Sequence, residues 1–189
     1  MNYLMHKVIK ILIATSILCN IGFALYEPIY AIFVQQIGGD LLTAATSIGL
    51  FSVVLGVFTI IFGKLSDMKK GLKNKLVVLG YSIVAAAFLG YYFVRSPIDL
   101  FVIQAVIGFG TALIDPGWNA LFSRNVKDGK ECTEWGLWEG GKQIAIGIFA
   151  AVGGVIAYMF GFKTLILVMF AFEVLATISV ARLLWTDGR

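Results

Sequence analysis

The sequence predicts an all-α integral membrane protein, six transmembrane helices arranged as a 3+3 inverted repeat. Three observations predict it. The 189 residues are 59% hydrophobic and only 14% charged, with a mean hydropathy of +0.90, which excludes a soluble domain. Six predominantly apolar runs of about 20 residues each are present, the length a bilayer-spanning helix needs. Finally, the motif Ala24-Leu25-Tyr26-Glu27-Pro28 returns as Ala112-Leu113-Ile114-Asp115-Pro116, an acid–proline pair in the first and the fourth run. The short alternating segments of a β-barrel are absent.

The first helix is expected over about 10–35, after a basic lead of His6, Lys7 and Lys10. It resembles a signal peptide at its start, but the run is too long and has no small-residue cleavage site, so it reads as a retained span. Asn20, Glu27 and Tyr30 fall near one face, and Pro28 removes a backbone donor, making a break in the helix expected there. A turn over 36–44 with Asp40 leads to the second helix, about 45–63. Its face of small residues, including Gly49 and Gly56, permits close helix packing. The polar run 64–75 follows, five lysines against Asp67, and is read as a cytoplasmic loop.

The third helix (about 76–94) carries Tyr91 and Tyr92 near its end, in keeping with an interfacial aromatic belt. After the turn at 95–99, the fourth (about 100–122) places Gln104, Gly108, Thr111, Asp115 and Trp118/Asn119 at spacings of three or four, a polar stripe on one side. The charged stretch 123–142, with Trp135 and Trp138, reads as a second cytoplasmic loop containing a surface-lying segment. The fifth helix (about 143–160) is rich in small residues, among them Gly147, Gly153 and Gly154. A tight turn at 160–163 leads to the sixth (about 164–184), which contains Glu173.

Charge orients the chain. Thirteen of the fifteen Lys and Arg fall on one side of this scheme, and only Arg95 and Lys163 on the other. By the positive-inside rule both termini are expected in the cytoplasm, in a multi-pass protein of the cell membrane. The same pattern accounts for the net charge of +4 without nucleic acid as a partner. Cys19 in a span and Cys132 in a loop do not pair, and no metal-ligand spacing or cofactor motif is present. With a single His near the terminus and no nucleophile motif, an enzyme is not expected.

A carboxylate at mid-bilayer costs roughly 2.5–3.5 kcal/mol on insertion scales. Glu27 and Asp115 therefore read as cavity residues, carrying protons or attracting a cation, at the interrupted helices where inverted repeats place their sites.

With these residues in hand, the chain resembles one six-helix half of a major facilitator superfamily transporter over nearly its full length. Gly63-Lys64-Leu65-Ser66-Asp67 followed by lysines is similar to that family's cytoplasmic signature, with Met68 where the family has Arg and Gly71 late. The resemblance implies a gate made of Gly63, Asp67, Lys69, Lys70 and Gly71. Gln104-x-x-x-Gly108-x-Gly110 resembles the fourth-helix signature, with Gln104 in place of Arg. Gly153-Gly154 through Phe160-Gly161-Phe162-Lys163 is similar to the end of the fifth helix, without the Gly-Pro of the antiporters. The implied function is a secondary transporter of a small solute working by alternating access. Its cavity would be lined by Asn20, Glu27, Tyr30, Gln104, Thr111, Asp115 and Asn119. The small-residue faces would meet a second half: another copy of the chain or a separately encoded bundle. A truncated half or an accessory membrane protein that moves no solute is the competing expectation.

Overall fold

A computed structural model describes residues 2–68 and 71–186. Their regular structure is helical throughout: α1 (Asn2–Ala24), a 3-10 turn (Glu27–Ile29), α2 (Tyr30–Gln36), α3 (Leu41–Met68), α4 (Leu72–Tyr91), α5 (Pro97–Asn125) and α6 (Glu131–Thr186). Five segments among the described residues are long and apolar enough to cross a membrane: Val8–Gln36, Leu41–Met68, Leu72–Tyr91, Pro97–Asn125 and Glu131–Arg182.

The first span is broken where proline chemistry requires it. A proline ring collides with the carbonyl four residues back, and α1 ends at Ala24, four before Pro28. The chain then tightens, with Tyr26 N–H donating to Phe23 O (3.0 Å) and Ile29 N–H to Tyr26 O (3.1 Å), before α2 resumes. The second acid–proline pair behaves differently. Pro116 lies inside α5, which continues to Asn125.

Two segments read as loops are largely helix. Of 64–75, residues through Met68 extend α3, and α4 begins at Leu72 after Gly71 at φ 79°. The gate residues Lys69 and Lys70 lie outside the described residues. Of 123–142, only 126–130 separates α5 from α6. Glu134 accepts from Lys127 N–H (3.1 Å) and Glu131 from Gly129 N–H (2.9 Å), placing carboxylates at the positive end of α6. The sequence offered that signal in two glutamates opening a Trp-bearing periodic segment.

Straight, the 56 residues of α6 would be roughly 84 Å long, against a hydrocarbon core of about 30 Å. Gly161 resolves the mismatch with φ 80° and ψ 166°, values open only to glycine. Phe149 and Phe172 are twenty-three residues apart, yet their rings lie 5.6 Å from centre to centre. The chain therefore doubles back at Gly161, and α6 is two antiparallel limbs. Phe162 packs against Phe33 of α2 (5.5 Å), and the Lys163 ammonium lies 5.3 Å from the Tyr92 ring centre, so this turn shares an end of the bundle with the α2 and α4 termini.

α1 packs on α6, and α5 lies between α3 and α4, with α4 also meeting α6. The centre is aromatic and aliphatic: Tyr81, Phe88, Tyr91, Phe122, Leu12 and Leu165 are fully buried. Gly80 and Gly110 allow α4 and α5 to cross closely, since a Cβ on Gly80 would stand 2.6 Å from Gly110 O. Of the five packing glycines, Gly153 presses on the Leu25 backbone inside the bundle, whereas Gly49, Gly56, Gly147 and Gly154 face open space. Only Ala44 and Ser47 of α3 are buried, leaving Ile48, Val53, Val57 and Ile60 outward, as an apolar solvent allows. Cys19 and Cys132 are both free thiols.

Candidate functional site: two cavities along the first and fourth apolar runs

The seven candidate binding residues divide between two cavities. Glu27, Tyr30 and Gln104 line one of about 290 Å³. Asn20, Thr111, Asp115 and Asn119 line another of about 320 Å³. Phe23 borders both, so the two spaces adjoin along α1 with one aromatic side chain shared between them.

The first cavity is an aromatic box. Phe23, Tyr26, Tyr30, Phe51, Phe88 and Tyr91 contribute rings, and Glu27 contributes its carboxyl. Glu27 is exposed, standing in the 3-10 turn that Pro28 produces. Tyr30 and Gln104 are buried, and their polar atoms are satisfied by each other: Gln104 Nε2 donates to Tyr30 Oη at 2.8 Å, and Tyr30 Oη hydrogen-bonds Ser47 Oγ. That chain ties α5, α2 and α3 together. Gln104 thus supplies a neutral amide at the place where the fourth-helix signature it resembles has Arg. Edge-to-face contacts of Tyr26 with Tyr30 (5.0 Å) and Phe33 (6.0 Å) hold the wall.

The second cavity is polar. Asp115 is half-buried, facing the same space as Asn20 and Asn119. Asn20 Nδ2 donates to Ser16 O (2.8 Å), and Trp138 Nε1 donates to Ser16 Oγ (2.9 Å). Trp118 and Trp138 meet along its side, ring centres 4.8 Å apart and planes tilted by 35°. Lys142 lines this cavity too, its ammonium 2.7 Å from Glu139 and 4.9 Å from the Trp138 ring centre. Trp138 and Lys142 belong to the stretch 123–142 that the sequence reads as a loop; α6 starts at Glu131 and brings them to the cavity of Asp115. Their i, i+4 spacing was the available signal.

A third recess of about 470 Å³ collects Gly63, Asp67 and Gly71 with Lys73, Pro116 and Arg124. Asp115 and Pro116 thus belong to adjacent spaces, the acid to the polar cavity and the proline to the recess of the signature. Gly63 lies against Pro116, a Cβ there falling 3.9 Å from the ring. Among the described residues no cluster of His, Cys, Asp or Glu has a metal-binding arrangement.

The family model described as Major Facilitator Superfamily matches residues 12–189. The chain belongs to the Major Facilitator Superfamily. It is similar to an uncharacterised MFS-type transporter of Methanocaldococcus jannaschii, 23% identical over 159 residues, which cover 84% of this chain and 41% of that protein. It is also similar to a multi-drug resistance efflux pump PmrA homologue of Lactococcus lactis, 25% identical over 117 residues, or 60% of this chain and 28% of the pump. The chain spans less than half the length of these curated relatives. As a superfamily member with long apolar helices it is a multi-pass membrane protein of a transporter family.

Proposed function

We propose that the chain forms one six-helix half of a major facilitator superfamily secondary transporter, moving a small cationic solute, or protons with it, by alternating access. The observation that carries this is the pair of adjoining cavities on either side of Phe23, each holding one acid–proline carboxylate, Glu27 in the aromatic space and Asp115 in the polar one. In this reading the reversal at Gly161 is a turn between the fifth and sixth of six crossings, taken as a 3+3 repeat. The basic residues then collect on the side of Asp67, which becomes the cytoplasmic side with both termini.

In this reading an organic cation is held in the aromatic box by ring faces and by Glu27, since a cation within about 6 Å of a ring centre is attracted by the quadrupole. Asp115 receives it, or the coupled proton, on the other side of Phe23. The second wall comes from another six-helix bundle, a second copy or a separate polypeptide, seated on the open faces of Gly49, Gly56, Gly147 and Gly154. Rocking of the two bundles exposes the cavities alternately. Gly63, Asp67, Lys69, Lys70 and Gly71 latch the cytoplasmic side. Pro116, beside Gly63, links the latch to Asp115.

The test is ethidium movement across vesicles carrying the reconstituted chain, with and without a pH gradient. Glu27→Gln and Asp115→Asn each abolish gradient-dependent movement while the protein still inserts. Unchanged movement in both variants sinks the assignment of the site.

A further inference from the structure

The aromatic box and the polar cavity differ in chemistry but meet at one side chain. Of their lining residues, only Phe23 belongs to both. The boundary between them is thin. On α5, Ile107 lines the box and Thr111 the polar cavity, four residues on, about 6 Å of helix rise. Along the first span the order is Asn20 in the polar cavity, Phe23 in both and, just past the end of α1, Glu27 in the box. One ring therefore stands where the two spaces adjoin.

That ring is braced from behind. Phe23 is half-buried and meets Phe88 of α4 edge to face, with centres 4.9 Å apart and planes at 74°. Phe88 is fully buried, and it packs so closely on α1 that a Cβ on Gly22 would stand 2.8 Å from its ring. A close-packed interior gives way only by repacking its neighbours, so Phe23 has a fixed wall at its back. The volumes point the same way. At about 290 and 320 Å³, each space lies at the small end of the range for ligand pockets, roughly 300–1,000 Å³. Either one suits a compact solute. Only the two joined suit an elongated solute whose ends reach Glu27 and Asp115.

We propose that Phe23 is the specificity-determining residue of the site: its ring confines a solute to one cavity at a time, and so selects compact monovalent cations over elongated dications. A dication lying across the boundary would set one charge against Glu27 and the other against Asp115, and the Phe23 ring occupies the path between them. Removing the ring opens that path. The inference deepens the cation-transport reading and rests on it for the sign of the solute's charge, while the partition itself stands on the shared ring and its packing.

The experiment is equilibrium binding to the full chain in lipid nanodiscs, read against empty discs. Ethidium is the compact probe, and decamethonium, a methylene chain with a trimethylammonium group at each end, is the elongated one. Phe23→Ala should tighten decamethonium binding by about tenfold or more, a modest share of what linking two binding events supplies, and should tighten ethidium binding less. Adding Asp115→Asn to Phe23→Ala should remove that gain, whereas with Phe23 in place Asp115→Asn should weaken decamethonium much less. An unchanged decamethonium affinity in Phe23→Ala overturns the proposal. So does a gain that survives Asp115→Asn, since the second carboxylate is then not reached. Should Phe23→Ala fail to assemble, Phe23→Leu removes the ring but keeps an apolar side chain, and a smaller gain with the same dependence on Asp115 is expected. Ethidium movement without any decamethonium gain overturns the partition alone. The decamethonium gain without ethidium movement overturns the transporter reading alone, and absence of cation binding in every variant overturns both.

Discussion

At the scale of single residues, the hydroxyl of Tyr30 carries more than its size implies. It accepts from Gln104 and pairs with Ser47, and all three side chains are buried. Tyr30→Phe keeps the ring and strands the Gln104 amide, and an unsatisfied buried group costs about 1–3 kcal/mol. We expect that loss in denaturant unfolding of the detergent-solubilised protein. Asp40 is tuned in the opposite environment, at the exposed start of α3. Its Oδ1 accepts from Thr43 Oγ1 and Thr43 N–H, both at 2.7 Å, which hold its carboxyl below the usual range. A depressed folded value means that the cap stabilises above the unfolded value and is lost as pH falls through the folded one. Protection of the first-turn amides of α3, measured against their intrinsic exchange rates, should therefore fall on acidification, and Asp40→Asn should remove that pH response. Much of the lining of the two cavities was legible at this scale. Glu27 and Asp115 stood out because charge is expensive in an apolar run. Lys142 was hidden because a lysine beside two glycines and a glutamate reads as loop until the helix start at Glu131 is known.

At the scale of elements, identical residues do different work according to what stands opposite. A Cβ on Gly153 would collide with the Leu25 backbone, while one on Gly147 meets nothing within 4 Å. Gly153→Ala should cost about 1–3 kcal/mol through forced backbone movement, read by thermal unfolding. Gly147→Ala should leave unfolding unchanged within about 0.5 kcal/mol. A small-residue face in the sequence announces close packing without saying with what, so the difference was not readable there. The two acid–proline pairs teach the same lesson. Pro28 ends α1, yet Pro116 is absorbed within α5, which packs against α3 and α4 on both sides. Four matching positions out of five described the motif, and tertiary packing decided its backbone.

For the whole molecule, hydrophobic length predicted an all-helical membrane bundle well, because a bilayer tolerates few other structures. Helix ends were less legible, since polar residues continue a helix past the membrane edge as readily as they leave it. The proposed second wall makes a definite expectation about assembly. Native mass spectrometry of gently extracted protein should show a species of about twice the 20.6 kDa chain mass or a co-purifying second bundle. A lone chain at all concentrations would count against the half-transporter reading. The fold-back at Gly161 bears on how such a molecule is made. Its limbs are joined by one non-helical residue, with Phe149 already against Phe172. A turn this short leaves little slack between the limbs, which favours their entering the bilayer as a pair. Residues 131–182 are therefore expected to insert as a helical hairpin, with their topology fixed only once both limbs have been made.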